Sequence, residues 1–133
     1  MAFAGLNYLA ILVAAVAAFA WGAAYYMALS KQWLAAVGIA EPKMSPVPFV
    51  VSFICLLVMG WVLAGVIGHL GAGQATLKNG VISGFFIWLG FVLTTVIVNN
   101  VYPRRKWMLS VIDTGHWLGV LLIQGAVIGA IGV

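Results

Sequence analysis

The sequence predicts an all-α integral membrane protein, a four-helix bundle forming one domain, and three observations carry that expectation. Four continuous apolar runs each reach the roughly 20 residues that a helix needs to cross a hydrocarbon core about 30 Å thick. Charge is scarce: 6% of the 133 residues are charged and 65% hydrophobic, with a mean hydropathy of +1.20, whereas soluble domains carry about 25% charge. The runs do not alternate, and they are too few and too long for a β-barrel.

The spans are expected at about 6–29, 47–70, 77–101 and 107–131. In span one, Ala10, Ala14, Ala18 and Gly22 recur every fourth residue, leaving one face almost free of bulk for another helix to approach. No Lys or Arg precedes Lys31, and the run is longer than a signal-peptide h-region of about 7 to 15 residues, so it is expected to be a retained span. Trp21, Tyr25, Tyr26, Lys31 and Trp33 follow toward its end. They suit a membrane-interface belt, or Trp21 and Tyr25, one turn apart, face inward and line a site.

The connection 30–46 holds Glu41 and Pro42, and Trp33 to Ile39 is apolar enough for a short interfacial helix. Ser45 followed by Pro46 reads as an N-cap and first helical residue, since proline has no amide hydrogen to leave unsatisfied there. Span two presents Gly60, Ala64 and Gly68 at packing spacing. The short loop 71–76 predicts that spans two and three are antiparallel neighbours. Span three places Ser83, Gly90 and Thr94 along one side and Thr95, Asn99 and Asn100 at its far end, and Pro103 stops it. Span four carries two more close-approach pairs, Gly115 with Gly119 and Gly125 with Gly129.

Basic residues near span ends set orientation. Loops one and three contain Lys31, Lys43, Arg104, Arg105 and Lys106, against Lys78 on the other side, so both loops are expected in the cytoplasm and both termini outside. The same residues suit anionic lipid headgroups. The net charge of +4 forms no basic stripe interleaved with aromatics, which argues against nucleic acid as a partner. The single cysteine, Cys55, forms no intrachain disulfide.

Asn7-Tyr8-Leu9-Ala10, Trp21-Gly22, Lys31-Gln32-Trp33, Trp88-Leu89-Gly90-Phe91 and Ile112-Asp113 with Trp117 occur in the order seen in a bacterial family of small four-helix membrane proteins, domain of unknown function 1761. The chain resembles that family over nearly its whole length. The resemblance implies a multi-pass protein of the bacterial inner membrane and supplies no activity, cofactor or catalytic residue. Thr94-Thr95 departs from the proline expected after Gly-Phe-Val-Leu, which predicts an unkinked helix there.

Asp113 is the one acid inside an apolar run. A carboxylate at mid-bilayer costs about 2.5 to 3.5 kcal/mol on insertion scales, so it needs a partner. A rise of about 1.5 Å per residue puts it some 9 Å deep, level with Trp21, Tyr25, Ser52, Cys55, Thr94 and Thr95. Asp113, Trp117, Val120 and Gln124 share a helix face with His116 beside it, and that polar strip is expected to face the bundle interior or another protomer. Two readings follow. Asp113 clamps helices together through Tyr25, Thr95 or Asn99, in a structural or accessory membrane protein. Alternatively it binds a proton or cation in a small oligomeric transporter or channel, with His116 as either a packed imidazole or a relay.

Enzyme chemistry is not expected. A carboxylate pair would need Glu41, which lies in a loop. A metal set is not expected either, because His69 and His116 differ by roughly 20 Å in depth. No cofactor is implied. The expected partners are the bilayer and other copies of the chain, held through the small-residue faces.

Overall fold

The computed structural model describes residues 5–40 and 43–133, so the readings made for Glu41 and Pro42 lie outside the described residues. Among the described residues five helices follow in order: α1 (Tyr8–Ala28), α2 (Ser30–Val37), α3 (Val47–Gly68), α4 (Leu77–Val101) and α5 (Trp107–Ile131). All but α2 are long and apolar enough to cross a membrane.

Local chemistry accounts for the helix ends. The Asn7 side chain accepts from the Ala10 amide at 3.1 Å, and Thr76 does the same for Asn79 at 3.1 Å, so each caps an orphan donor of a first turn. Ser45 Oγ accepts from the Val47 amide at 3.2 Å, and helix begins at Val47, one residue beyond the expected proline start. The short interfacial helix begins earlier than Trp33, at Ser30, and ends where Gly38 takes a left-handed conformation with φ 86°. Lys106 Nζ donates to the Ala35 carbonyl at 3.1 Å, placing a cation at the negative end of α2. This contact brings the first and third connections together on one side of the bundle.

The bundle is organised around α5. Its most apolar stretch is 44% buried, against 6% for α4. The helices α1 and α4 flank α5 on different sides, both antiparallel to it, and α3 packs mainly on α1. Although joined by a short turn, α3 and α4 touch each other only lightly. The expected neighbour relationship is therefore the weaker contact of each, because the glycine surfaces lead elsewhere.

Those surfaces decide the packing. Ala10, Ala14 and Ala18 are fully buried in the α1 seam, and Gly60 and Ala64 are buried on α3. Between α4 and α5 the backbones themselves touch. A Cβ on Gly80 would overlap the Gly125 carbonyl, and one on Gly125 would overlap the Gly80 carbonyl. Gly84 meets the Leu121 carbonyl and Gly129 that of Thr76 in the same way. In each case a Cα–H occupies the place of Cβ and points at a carbonyl of the other helix, a weak hydrogen bond available only to residues without a side chain in that direction. Gly80 and Gly84 supply the α4 half of this contact. Gly90, which the sequence places along one side with Ser83 and Thr94, has open space around its Cβ position.

The helix runs on through Thr94 without a break, but the segment just before it, Trp88–Leu93, is π-helical, which the sequence did not indicate. The widened segment needs extra partners for its carbonyls. Thr94 Oγ1 donates to the Gly90 carbonyl at 2.9 Å and Thr95 Oγ1 to that of Phe91. A π segment inserts in effect one residue, about 100° of helix rotation. It carries the surface facing α5 from Gly80, Gly84 and Trp88 on to Asn100. Thr95 and Asn99 are turned outward.

Candidate functional site

Trp21 and Tyr25 stand one turn apart on α1, with Tyr26 next to Tyr25, and all three reach across to α5. Trp21 Nε1 donates to the His116 carbonyl at 3.0 Å, and the Tyr25 hydroxyl donates to the Ile112 carbonyl at 2.6 Å. The Tyr26 hydroxyl donates to Asp113 Oδ1 at 2.7 Å. From the opposite side, Trp88 Nε1 on α4 donates to the Thr114 carbonyl at 2.8 Å. Four donors from two helices thus converge on residues 112–116 of α5.

Glycines make the approach physically possible. A Cβ on Gly119 would lie inside the Trp21 indole, and one on Gly115 would stand 2.7 Å from the Tyr25 hydroxyl. Gly22 gives the same relief to His116, whose Nε2 is 2.8 Å from where its Cβ would be. The Gly115–Gly119 and Gly22 positions are therefore seats for aromatic rings, and the helices approach through those rings.

His116 is held in an aromatic surround. Its ring centroid lies 4.7 Å from that of Trp117, 4.8 Å from Tyr26 and 5.8 Å from Tyr25. Tyr26 in turn meets Trp33 of α2 at 6.0 Å. The His116 ring nitrogens have no hydrogen-bond partner among the described residues, and Nδ1 is buried. Two turns further along, Gln124 is fully buried; its Nε2 donates to the Leu56 carbonyl at 2.9 Å, while Oε1 is unpartnered. An apolar groove of about 720 Å³ opens between α1 and α3, with His116 and Trp117 in its wall.

The sequence-derived candidates divide in two. Asp113, His116, Trp117, Trp21 and Tyr25 come together along the α1–α5 seam, and Gln124 lies deeper where α3 joins it. Thr95 and Asn99 do not join: both are exposed, and Thr95 bonds within its own helix. Ser52, Cys55 and Thr94, placed at the same depth by the sequence, are also exposed and make no bond to Asp113. The partner of Asp113 is Tyr26, a residue that reads equally well as part of an interface belt. The sequence reading also passed over Asn100, whose Nδ2 donates to Ser110 Oγ at 3.0 Å, and Trp88. A helical count that allowed for the π segment would have brought Asn100 inward.

Lys31, Arg104, Arg105 and Lys106 are all exposed at the ends of the spans. Arg105 donates to Asn100 Oδ1 at 3.4 Å, and Arg104 turns the chain with φ 57°. No group of three His, Cys, Asp or Glu residues able to hold a metal ion occurs among the described residues.

The seam joins the first and last spans, so the site requires nearly the entire chain. Residues 9–129 match the family described as protein of unknown function (DUF1761). The chain belongs to this family. Within DUF1761 the match runs from the start of α1 to the last turn of α5, and so takes in both sides of the aromatic seam. No curated protein and no solved structure matches the chain.

Proposed function

We propose that this chain is a structural or accessory protein of the cell membrane, the inner membrane of a bacterium, whose Asp113 fastens α1 to α5. In this reading loops one and three face the cytoplasm and both termini lie outside. The observation that carries it is the Tyr26 hydroxyl donating to Asp113 Oδ1 at 2.7 Å within the seam. Trp21 and Tyr25 beside it are committed in the same way, donating to α5 carbonyls. Interhelical hydrogen bonds in membranes are individually modest, about 0.6 kcal/mol on average and up to about 1.7 kcal/mol. Four of them on one short segment favour a single register of the three helices. Groups engaged in this way hold helices together and are not free to pass a solute along.

Reconstitution with a lumenal pH indicator tests the proposal against proton- or cation-coupled transport. The expected result is no flux from the wild-type protein, with Tyr26→Phe lowering its melting temperature. Flux that Asp113→Asn abolishes at an unchanged melting temperature would overturn the clamp and support the transporter.

A further inference from the structure

The groove between α1 and α3 is lined from Ser30, at the start of α2, and Phe49, in the first turn of α3, to Leu56 and His116. His116 lies nine residues into α5, about 14 Å along the helix at a rise of about 1.5 Å per residue. A volume of about 720 Å³ falls within the range of small-molecule sites, about 300 to 1,000 Å³.

Three properties of the lining define what fits. The first is the His116 imidazole, unpartnered among the described residues, with Nε2 against Gly22 in the groove wall and Nδ1 buried. Either ring nitrogen can donate or accept according to tautomer, and an unpaired polar group in apolar surroundings is costly. The second is flat apolar surface on both sides: Trp117 and Tyr26 flank the imidazole, and Phe19 packs edge-on against Phe49 at 6.4 Å. The third is the absence of any ionised cation from the lining among the described residues, whose remaining side-chain polar groups are the hydroxyls of Tyr26, Ser30 and Ser52 and the indole N–H of Trp117. Asp113 stands behind Tyr26.

An anionic headgroup has nothing to pair with in such a groove. A lipid acyl chain would fill it but carries no hydrogen-bonding atom at the depth of His116. We infer that the groove binds a neutral, membrane-dissolved ring compound bearing a carbonyl or hydroxyl, of the quinone or lipophilic phenol class, with its ring between the aromatic walls and its oxygen on His116. The alkyl tail of such a molecule leaves through the open side of the groove, between α1 and α3.

Saturation binding of radiolabelled decyl-benzoquinone to the protein in lipid nanodiscs tests this directly. The wild-type protein should bind it saturably, at one site per chain. His116→Leu should weaken binding about tenfold, the scale of a lost hydrogen bond to a buried group. Ala23→Phe, which adds a ring to the groove wall from α1, should abolish it, and Val62→Phe at an exposed position of α3 should leave it unchanged. Competition by decylphenol identifies a hydroxyl as the better oxygen, and its failure to compete identifies the carbonyl. Equal competition by decylbenzene, which has no oxygen, would overturn the inference, as would non-saturable partitioning unaffected by Ala23→Phe. The clamp is read by melting temperature and the groove by saturation, so failure of one is distinguishable from failure of the other.

Discussion

The Tyr26 hydroxyl and the Asp113 carboxylate meet at 2.7 Å across the seam between the first and last spans. Asparagine keeps an oxygen where Oδ1 stands, so Asp113→Asn should cost less than about 1 kcal/mol. Tyr26→Phe leaves the carboxylate without its donor and should cost about 1 to 2 kcal/mol. Unfolding in mixed micelles, run as a double-mutant cycle of Tyr26→Phe with Asp113→Ala, which removes the acceptor, reads the coupling; additive effects of those two substitutions would show that the pair contributes nothing jointly.

Gly80 and Gly125 bring two backbones into contact, and neither carbonyl can move without its helix. Gly80→Ala or Gly125→Ala should therefore destabilise the protein by roughly 1 to 3 kcal/mol, the scale of overpacking. Gly90→Ala, with open space at its Cβ position, should fall within about 0.5 kcal/mol of wild type. Thermal melts of the three variants in one detergent give the comparison.

Gln124 donates from Nε2 but leaves Oε1 buried and unpartnered. Replacing it by leucine removes one hydrogen bond and one unsatisfied acceptor together, so Gln124→Leu should change stability by no more than about 1 kcal/mol. Gln124→Ala should cost more, about 2 kcal/mol or above, because the site beside Gly60 and Leu56 is left partly empty. A leucine variant as damaged as the alanine variant would count against this account.

The π segment contains in effect one residue too many for a regular helix. Deleting Gly90 should let α4 close into α-helix while Asn100 keeps its bond to Ser110. Deleting Val98, beyond the segment, should rotate the end of the helix by about 100° and break that bond. Exchange of the Asn100 side-chain amide distinguishes the two, with fast exchange expected only in the second variant.

Orientation is open to a labelling experiment. A cysteine at Arg105, in a chain whose Cys55 has been replaced by serine, should react with a membrane-impermeant maleimide only after the cytoplasmic side is opened. Labelling of intact cells from outside would reverse the proposed topology.

The four spans were legible because membrane insertion leaves a one-dimensional signature, length times hydropathy, that needs no partner to be read. The packing glycines of α5 were legible for the same reason, as repeats along one helix. The site was legible only in part. Asp113, His116 and Gln124 stand out as polar groups in apolar runs, yet nothing along the chain indicates which hydroxyl reaches Asp113. Tyr25 and Tyr26 are adjacent and chemically alike, and 100° of rotation sends one to a backbone carbonyl and the other to the carboxylate. Thr95 and Asn99 were placed by their depth and position along the span, which do not say which way a side chain faces, and the π segment Trp88–Leu93 turns Asn100 inward in place of Asn99.

By itself, then, the sequence determined the environment, the number of spans and the family, all of which follow from composition and order along the chain. Tertiary structure alone decided that α5 is the central helix, that α4 docks on it through Gly80 and Gly84, and that Tyr26 takes Asp113. The physical reason is that lipid rewards every apolar surface about equally. The choice of neighbour falls to close backbone contacts and a few directional hydrogen bonds, and these exist only once two helices have met.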